Sequence, residues 1–303
     1  MSVEVKLPNR IELTPRDRLQ AESKGWWEAN PMSYDWHRTL QASEGTREFY
    51  DEIDRRFFAS SSFYRGERPF EKWIHLDRLR GKRVLEIGCG LGTHAQLLAA
   101  SGCHLTCIDL TEKAVENTRR RLELRGLSAD IRLMDAEEMD FPDREFDLVW
   151  SWGVIHHSSD TERIIQQVFR VLKPGAEFRL MVYHRRSLSG LYSLGRGILT
   201  GKFFKGMSTH EVLSFYTDGY LARFYTRQEL QALLVRCGFS QIETQVLGQK
   251  SELLPLPGTG ASGRLKRALL RGIPDGLAER VLSMAGYFLF AVGRKNVPGV
   301  LST

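Results

Sequence analysis

The chain has 303 residues and a mass of 34.7 kDa, 42% of them hydrophobic and 26% charged. That exceeds one domain of ~150 residues but suits a single elaborated α/β domain, and the composition excludes a disordered, collagenous or disulfide-rich chain. Net charge is +6, and it is unevenly placed: residues 184–303 carry 16 Lys and Arg against 7 Asp and Glu, while residues 1–183 are nearly balanced.

Taken in chain order, residues 1–70 read as an N-terminal helical segment in which Trp26, Trp27, Tyr34 and Trp36 fall within eleven positions. Residues 71–303 form the main domain. From Lys82 to Tyr183 strands alternate with helices: KRVLEIGCG, THAQLLAASG, HLTCIDL, EKAVENTRRRLELRG, IRLMDA, FDLVWSWG, TERIIQQVFRVLKPG and EFRLMVYH. Such alternation predicts a parallel sheet covered on both faces. Residues 184–224 form an insertion after the fifth strand, rich in Leu, Phe and Tyr. Thr226 then opens the helix RQELQALLVRCGF, SQIETQVLG is a strand, residues 250–285 form a helical insertion, and GYFLFAVGRK closes the sheet. The expected fold is a Rossmann-like, doubly wound sheet of seven strands, the last antiparallel, with helical cap insertions.

No apolar run approaches the ~18 residues of a membrane span, and the sequence MSVEVKLPNR lacks an apolar signal region. Four cysteines, at 89, 103, 107 and 237, suit neither a disulfide framework nor a zinc site. A cytoplasmic protein without a metal is expected.

The informative stretch is Glu86-Ile87-Gly88-Cys89-Gly90-Leu91-Gly92. Glycines directly after a buried strand permit a tight turn and close approach of a ligand. Asp109 ends the next strand, where a carboxylate can accept from ribose hydroxyls, and Asp135-Ala136 follows the third. The spacing is G-x-G-x-G with Thr93 where G-x-G-x-x-G needs glycine or alanine, and Glu86 beside the loop is a poor neighbour for pyrophosphate. A nicotinamide cofactor is therefore disfavoured. A ligand with an amino-acid end and a sulfonium tolerates the acidic strand ends.

These segments, VLEIGCGLGT, CIDLT, MDAEEMDFPDREFDLVWSWGVIHH and RVLKPGAEFRL, resemble the ordered motifs of class I S-adenosylmethionine-dependent methyltransferases, in particular those acting on small molecules. The resemblance covers residues 81–183 and resumes at 226–238 and the closing strands. It implies S-adenosyl-L-methionine as cofactor. By position, Gly88, Gly90 and Gly92 would line the methionine moiety, with Glu86 beneath the turn. Asp109 would hold the ribose and Leu110 the adenine face. Asp135 and Ala136 would meet the adenine edge, and Ser151 would face the sulfonium.

Because the methyl group is already electrophilic, the protein must align an acceptor, exclude water and provide a base where the acceptor carries a proton. His156 and His157 follow the fourth strand, and an imidazole titrating near pH 6.5 suits that role. Both are catalytic candidates; the stretch is similar to phosphoethanolamine methyltransferases, which implies His157 as the base, the alternative for His156 being to orient the next helix. Tyr183 leaves the fifth strand at the same crevice, followed by His184 and the pair Arg185-Arg186, able to bind an anionic group. The N-terminal segment resembles the lids of related enzymes and would supply Tyr34. The aromatic insertion at 184–224 predicts an acceptor with an apolar or aromatic body, and the basic C-terminal region an anionic one. Arg119-Arg120-Arg121 reads as a solvated helix face.

Two alternatives stand beside a small-molecule methyltransferase. The basic region suits an RNA or other nucleic-acid methyltransferase, although the Asn/Asp-Pro-Pro-aromatic motif of base methylation is replaced by Ser151-Trp152-Gly153-Val154, which disfavours nucleic acid. A membrane-associated lipid or quinone methyltransferase fits the mixed cations and apolar residues at 201–206 and 264–271.

Overall fold

The structure, a computed structural model, describes residues 14–33, 40–60, 64, 69–255 and 260–296. Tyr34 and Trp36 lie outside the described residues. Three helices precede the sheet: α1 Pro15–Ala29, α2 Arg47–Ser60 and the single turn α3 Glu71–Ile74. The alternating region follows as β1 Arg83–Ile87, α4 Thr93–Ala100, β2 His104–Asp109, α5 Glu112–Leu124, β3 Asp130–Leu133, β4 Phe146–Trp152, α6 Thr161–Val171 and β5 Leu172–His184. Beyond it come α7 Leu188–Leu199, α8 Thr209–Phe215, β6 Phe224–Tyr225, α9 Arg227–Arg236, β7 Phe239–Leu247, α10 Gly260–Arg271, α11 Asp275–Ala285 and β8 Phe288–Lys295.

Seven strands run in the order β3-β2-β1-β4-β5-β8-β7, and only β8 is antiparallel to its neighbours. The two-residue β6, absent from the seven-strand expectation, adds to the end of β5 beside Tyr183 and His184. Strand order reverses between β1, β2 and β4, and this switch point opens a crevice at their carboxyl ends.

Side chains alternate between the sheet's two faces. Leu85, Ile87, Val149 and Leu180 pack with Ile164, Ile165 and Val168 of α6 and Leu230 and Leu234 of α9. Val84, Leu148, Trp150 and Met181 face the other way, onto Leu98 of α4, Leu122 of α5 and Trp73 of α3. Pro174-Gly175, expected to end the sixth helix, instead lies inside β5, because α6 stops at Val171. There the β4–β5 register shifts, and Gly175 takes the positive φ of 79° that the irregularity needs.

The triple arginine of α5 is not a uniform solvated face. Arg121 is fully buried, ion-paired with Asp54 of α2 and donating to the Leu91 carbonyl at 2.8 Å and the Thr93 hydroxyl at 3.0 Å. Helical spacing turns Arg119 and Arg120 outward and Arg121 inward, and the acidic partner lies 67 positions earlier. Arg121 thus ties the N-terminal helices to the loop between β1 and α4.

Candidate active site

A cavity of about 370 Å³ occupies the crevice. At one end it is lined by Gly88, Gly90, Asp109, Leu110, Asp135 and Ala136. Gly88 and Gly90 have φ of 78° and 53°, the left-handed region that favours glycine. A Cβ on Gly88 would overlap the Val154 side chain, whereas one on Gly90 would meet nothing within 4 Å. The loop is therefore tight on its inner side and open toward the cavity. Gly92 is the α4 N-cap, packed over Thr118 and Arg121, and does not line the cavity.

The Asp109 carboxylate is held by its neighbours, accepting from Gly90 N–H at 3.0 Å and from the N–H and hydroxyl of Thr111 at 3.0 and 2.9 Å. Burial nevertheless pushes it above the usual carboxylate range against those bonds. Glu86 sits beneath the glycine turn, 1% exposed, and burial pushes its carboxyl up to about 8, so it is a protonated group at neutral pH. Asp135 accepts from Glu137 N–H at 2.8 Å and from the Gln20 amide at 3.0 and 3.1 Å.

Ser151 is not on the cavity wall. Alternation along β4 turns it to the α6 face, where its hydroxyl donates to the Ile87 carbonyl at 3.3 Å, and Trp152 and Gly153 line the cavity instead.

Helix α1 straps the crevice. Gln20 joins Asp135 and the Ser159 N–H, Ser23 donates to the His157 carbonyl at 3.1 Å, and Arg16 meets the buried Glu137 at 2.9 Å. Glu28, at its far end, accepts from Glu112 and Lys113 N–H at the start of α5. One helix thus ties together the loops after β2, β3 and β4. Burial raises Glu137, but hydrogen bonds from Ser158, Ser159, Asp160 N–H and Arg16 outweigh it and hold the carboxylate below its usual range.

The other end of the cavity is apolar and aromatic, with Trp27, Met32, Phe57, Tyr64, Trp152, Met181, Tyr183, Tyr287 and Phe288. Polar groups there are few. His157 Nδ1 lies 2.7 Å from the Leu221 carbonyl; a carbonyl only accepts, so Nδ1 carries the proton and Nε2 holds the lone pair. His157 is 4% exposed, and its Nε2 has no hydrogen-bond partner among the described residues. Burial pushes this imidazole below the usual histidine range, against the Asp218 carboxylate and the Leu221 bond. Gly219, at φ 88°, makes room for the ring: a Cβ there would lie 2.6 Å from Nδ1. Asp218 accepts from the Tyr183 hydroxyl at 2.9 and 3.1 Å.

His94 is the mirror case, and the sequence reading passed over it. Trp150 Nε1–H donates to its Nδ1 at 3.3 Å, so the proton sits on Nε2, which has no partner among the described residues. Burial pushes His94 down to about 3, leaving it neutral. Two cavity-lining imidazoles thus have opposite tautomers, each with a buried Nε2 that lacks a partner among the described residues. Nothing but the residue type hinted at His94, and its helical position reads as ordinary packing.

His156 is fully buried, off the cavity wall, and packed at a tilt against Tyr183 and His157 at ring separations of 4.0 and 4.2 Å. His184 is buried, with Nδ1 on the Gly286 carbonyl. Arg185 pairs with Glu229 and Arg186 is exposed, so this pair does not reach the cavity. Among the described residues no Lys or Arg lines it, and of the 184–224 insertion only Asp218 does. Of the insertion's aromatics, Phe224 instead packs with Leu213 and Ala222 against Tyr183, Tyr287 and Phe288, and Tyr192, Phe204, Phe215 and Tyr220 stand on the surface.

A seven-strand sheet with one antiparallel strand and an acidic, glycine-turned crevice at the switch point defines a class I methyltransferase fold. Residues 84–175 match the family model described as a methyltransferase domain. The ubiquinone biosynthesis O-methyltransferase of Dechloromonas aromatica (strain RCB) is 31% identical over 199 residues, 63% of this chain and 85% of that protein. The sterol 24-C-methyltransferase of Pneumocystis carinii is 25% identical over 66% of this chain, and the chain spans about half, 51%, of its length. The fold is shared with phosphoethanolamine N-methyltransferase 2 of Haemonchus contortus in complex with phosphomonomethylethanolamine and S-adenosylhomocysteine, at TM-score 0.54 and 16% identity over 94% of this chain and 61% of that one. The chain belongs to the S-adenosylmethionine-dependent methyltransferase family. Gly90, open to the cavity, and the fixed carboxylates of Asp109 and Asp135 make a polar cradle in which that cofactor would fit.

Proposed function

We propose that the protein methylates a hydroxyl or amine on an uncharged small molecule with an apolar or aromatic body, with His157 as the base. The observation that carries this reading is the buried His157 ring among the cavity-lining residues, whose Nε2 has no hydrogen-bond partner among the described residues. S-adenosylmethionine, when bound, supplies an electrophilic methyl group. Asp109 would hold a ribose hydroxyl, and Asp135 with the Ala136 backbone would meet the adenine. His157 accepts the acceptor's proton at Nε2 while the Nδ1 bond to Leu221 keeps the ring from turning. Asp218 steadies the resulting imidazolium and fixes Tyr183. Trp27 and Trp152 exclude water, and the absence of Lys and Arg from the described wall argues for an uncharged acceptor over an anionic one. An oxygen acceptor agrees with the name of the Dechloromonas relative.

The test follows S-adenosylhomocysteine by mass spectrometry across hydroxyl and amine acceptors paired with their already methylated forms. His157→Gln and His157→Phe are expected to lower turnover by about 10²–10⁴ with cofactor affinity unchanged. Full turnover in His157→Phe, or equal turnover on the blocked acceptors, overturns the reading.

A further inference from the structure

The positive excess of the chain lies away from the cavity, and so does most of its exposed apolar surface. From Arg185 to His210 there are five Lys and Arg and no Asp or Glu. The same stretch exposes Leu191, Ile198, Leu199 and Phe204, the last two at 87% and 91%. Leu191 and Ile198 are two turns apart on α7, so its outer face, not its inner one, carries an apolar stripe. Phe204 stands at the tip of the turn that follows, between Lys202 and Lys205, and Lys202 lies over the Phe215 ring at 3.5 Å.

Helix α10 repeats the composition. It has Arg264, Lys266, Arg267 and Arg271, no acidic residue, and exposed Leu265 and Leu269 one turn apart. Helices α7 and α10 both pack against the short turn Lys250–Leu253.

We propose that this surface docks the protein on an anionic lipid bilayer, with Leu199 and Phe204 entering the interface and the flanking cations meeting the headgroups. Exposed aliphatic and aromatic side chains interleaved with cations match a surface that is anionic outside and apolar within. A nucleic acid would use the cations but offer nothing to Leu191, Ile198 and Leu199. Asp218, from the same 184–224 insertion, lines the cavity. The proposal stands independently of the acceptor's identity.

The test is sedimentation of the full chain with vesicles of phosphatidylcholine alone or mixed with phosphatidylglycerol, at low and high salt, with S-adenosylmethionine affinity measured in parallel. Binding is expected to the mixed vesicles at least ~10-fold more strongly than to the neutral ones, weakening with salt. Lys202→Glu with Lys205→Glu should cut it by ~10-fold or more, and Leu199→Ser with Phe204→Ser by a similar factor, with cofactor affinity unchanged in both. Equal binding to neutral vesicles, no binding, or binding untouched by Leu199→Ser/Phe204→Ser overturns the proposal. So does a solution dimer abolished by that double variant, which would assign the face to a second copy.

Discussion

At the cofactor end of the cavity, the carboxylates are held mainly by backbone N–H groups of the turns at neighbouring strand ends, with Gln20 of α1 added at Asp135. Asp109 is fixed by Thr111 and Gly90, and Asp135 by Glu137 as well as Gln20. At the acceptor end the wall is assembled from distant parts: Trp27 from α1, Phe57 from α2, Trp152 from β4, Asp218 from the cap, and Tyr287 and Phe288 from the entry to the last strand. Backbone geometry does the work at the first end, and long-range packing at the second. The first can therefore be shared by many enzymes with different acceptors, while the second can be rebuilt without disturbing it.

The largest expected effect tests how firmly the two ends are joined. Asp54→Ala leaves the buried Arg121 without its counter-charge and should cost about 3–5 kcal/mol of stability in denaturant unfolding. An unchanged midpoint would mean that the N-terminal helices are only loosely attached to the glycine loop. Gly88→Ala acts on the cofactor end alone. Its strained φ and overlap with Val154 should lose about 2–3 kcal/mol, read as weakened cofactor binding by calorimetry together with a lower melting temperature.

A smaller effect separates the ends by pH. Asp218 raises the His157 pKa against burial, so Asp218→Asn should lower it further. Activity rises with pH as His157 Nε2 loses its proton, and that rise should move to lower pH in the variant. Its plateau should fall about 10-fold because the neutral base is weaker, and cofactor affinity should stay constant. A shift to higher pH would contradict the assigned electrostatics. The smallest effect is Gln20→Ala, which unties the strap from Asp135 and Ser159; cofactor affinity should drop only several-fold, about 1 kcal/mol for the lost hydrogen bonds.

The same contrast governs what the sequence makes legible. The strand ends at Gly88, Asp109 and Asp135 can be found because glycine turns and carboxylates after apolar runs are local signals. Helix α6 and the capping residue Thr226 are legible for that reason too. Ser151 misleads because strand parity decides its direction, and a position at the strand end does not reveal which face it takes. Arg121 misleads because its counter-ion comes from a helix far earlier in the chain. The aromatic richness of residues 184–224 reads as a substrate cap, yet it divides between buried packing and solvent, a division set by tertiary contacts. His94 and Asp218 carry no local signal, since each gains its place only when β4 or β5 packs beside it.

The placement of β8 also sets an order on synthesis. It inserts between β5 and β7, pairing with both, although it is the last strand of the described chain. While the ribosome is still making residues 248–287, β5 and β7 have nothing between them, and each leaves an open edge able to pair wrongly. The segment that closes those edges also delivers Tyr287 and Phe288 to the cavity wall. Completion of the sheet and completion of the acceptor chamber are thus one event, and a nascent or clipped chain ending before Phe288 lacks both.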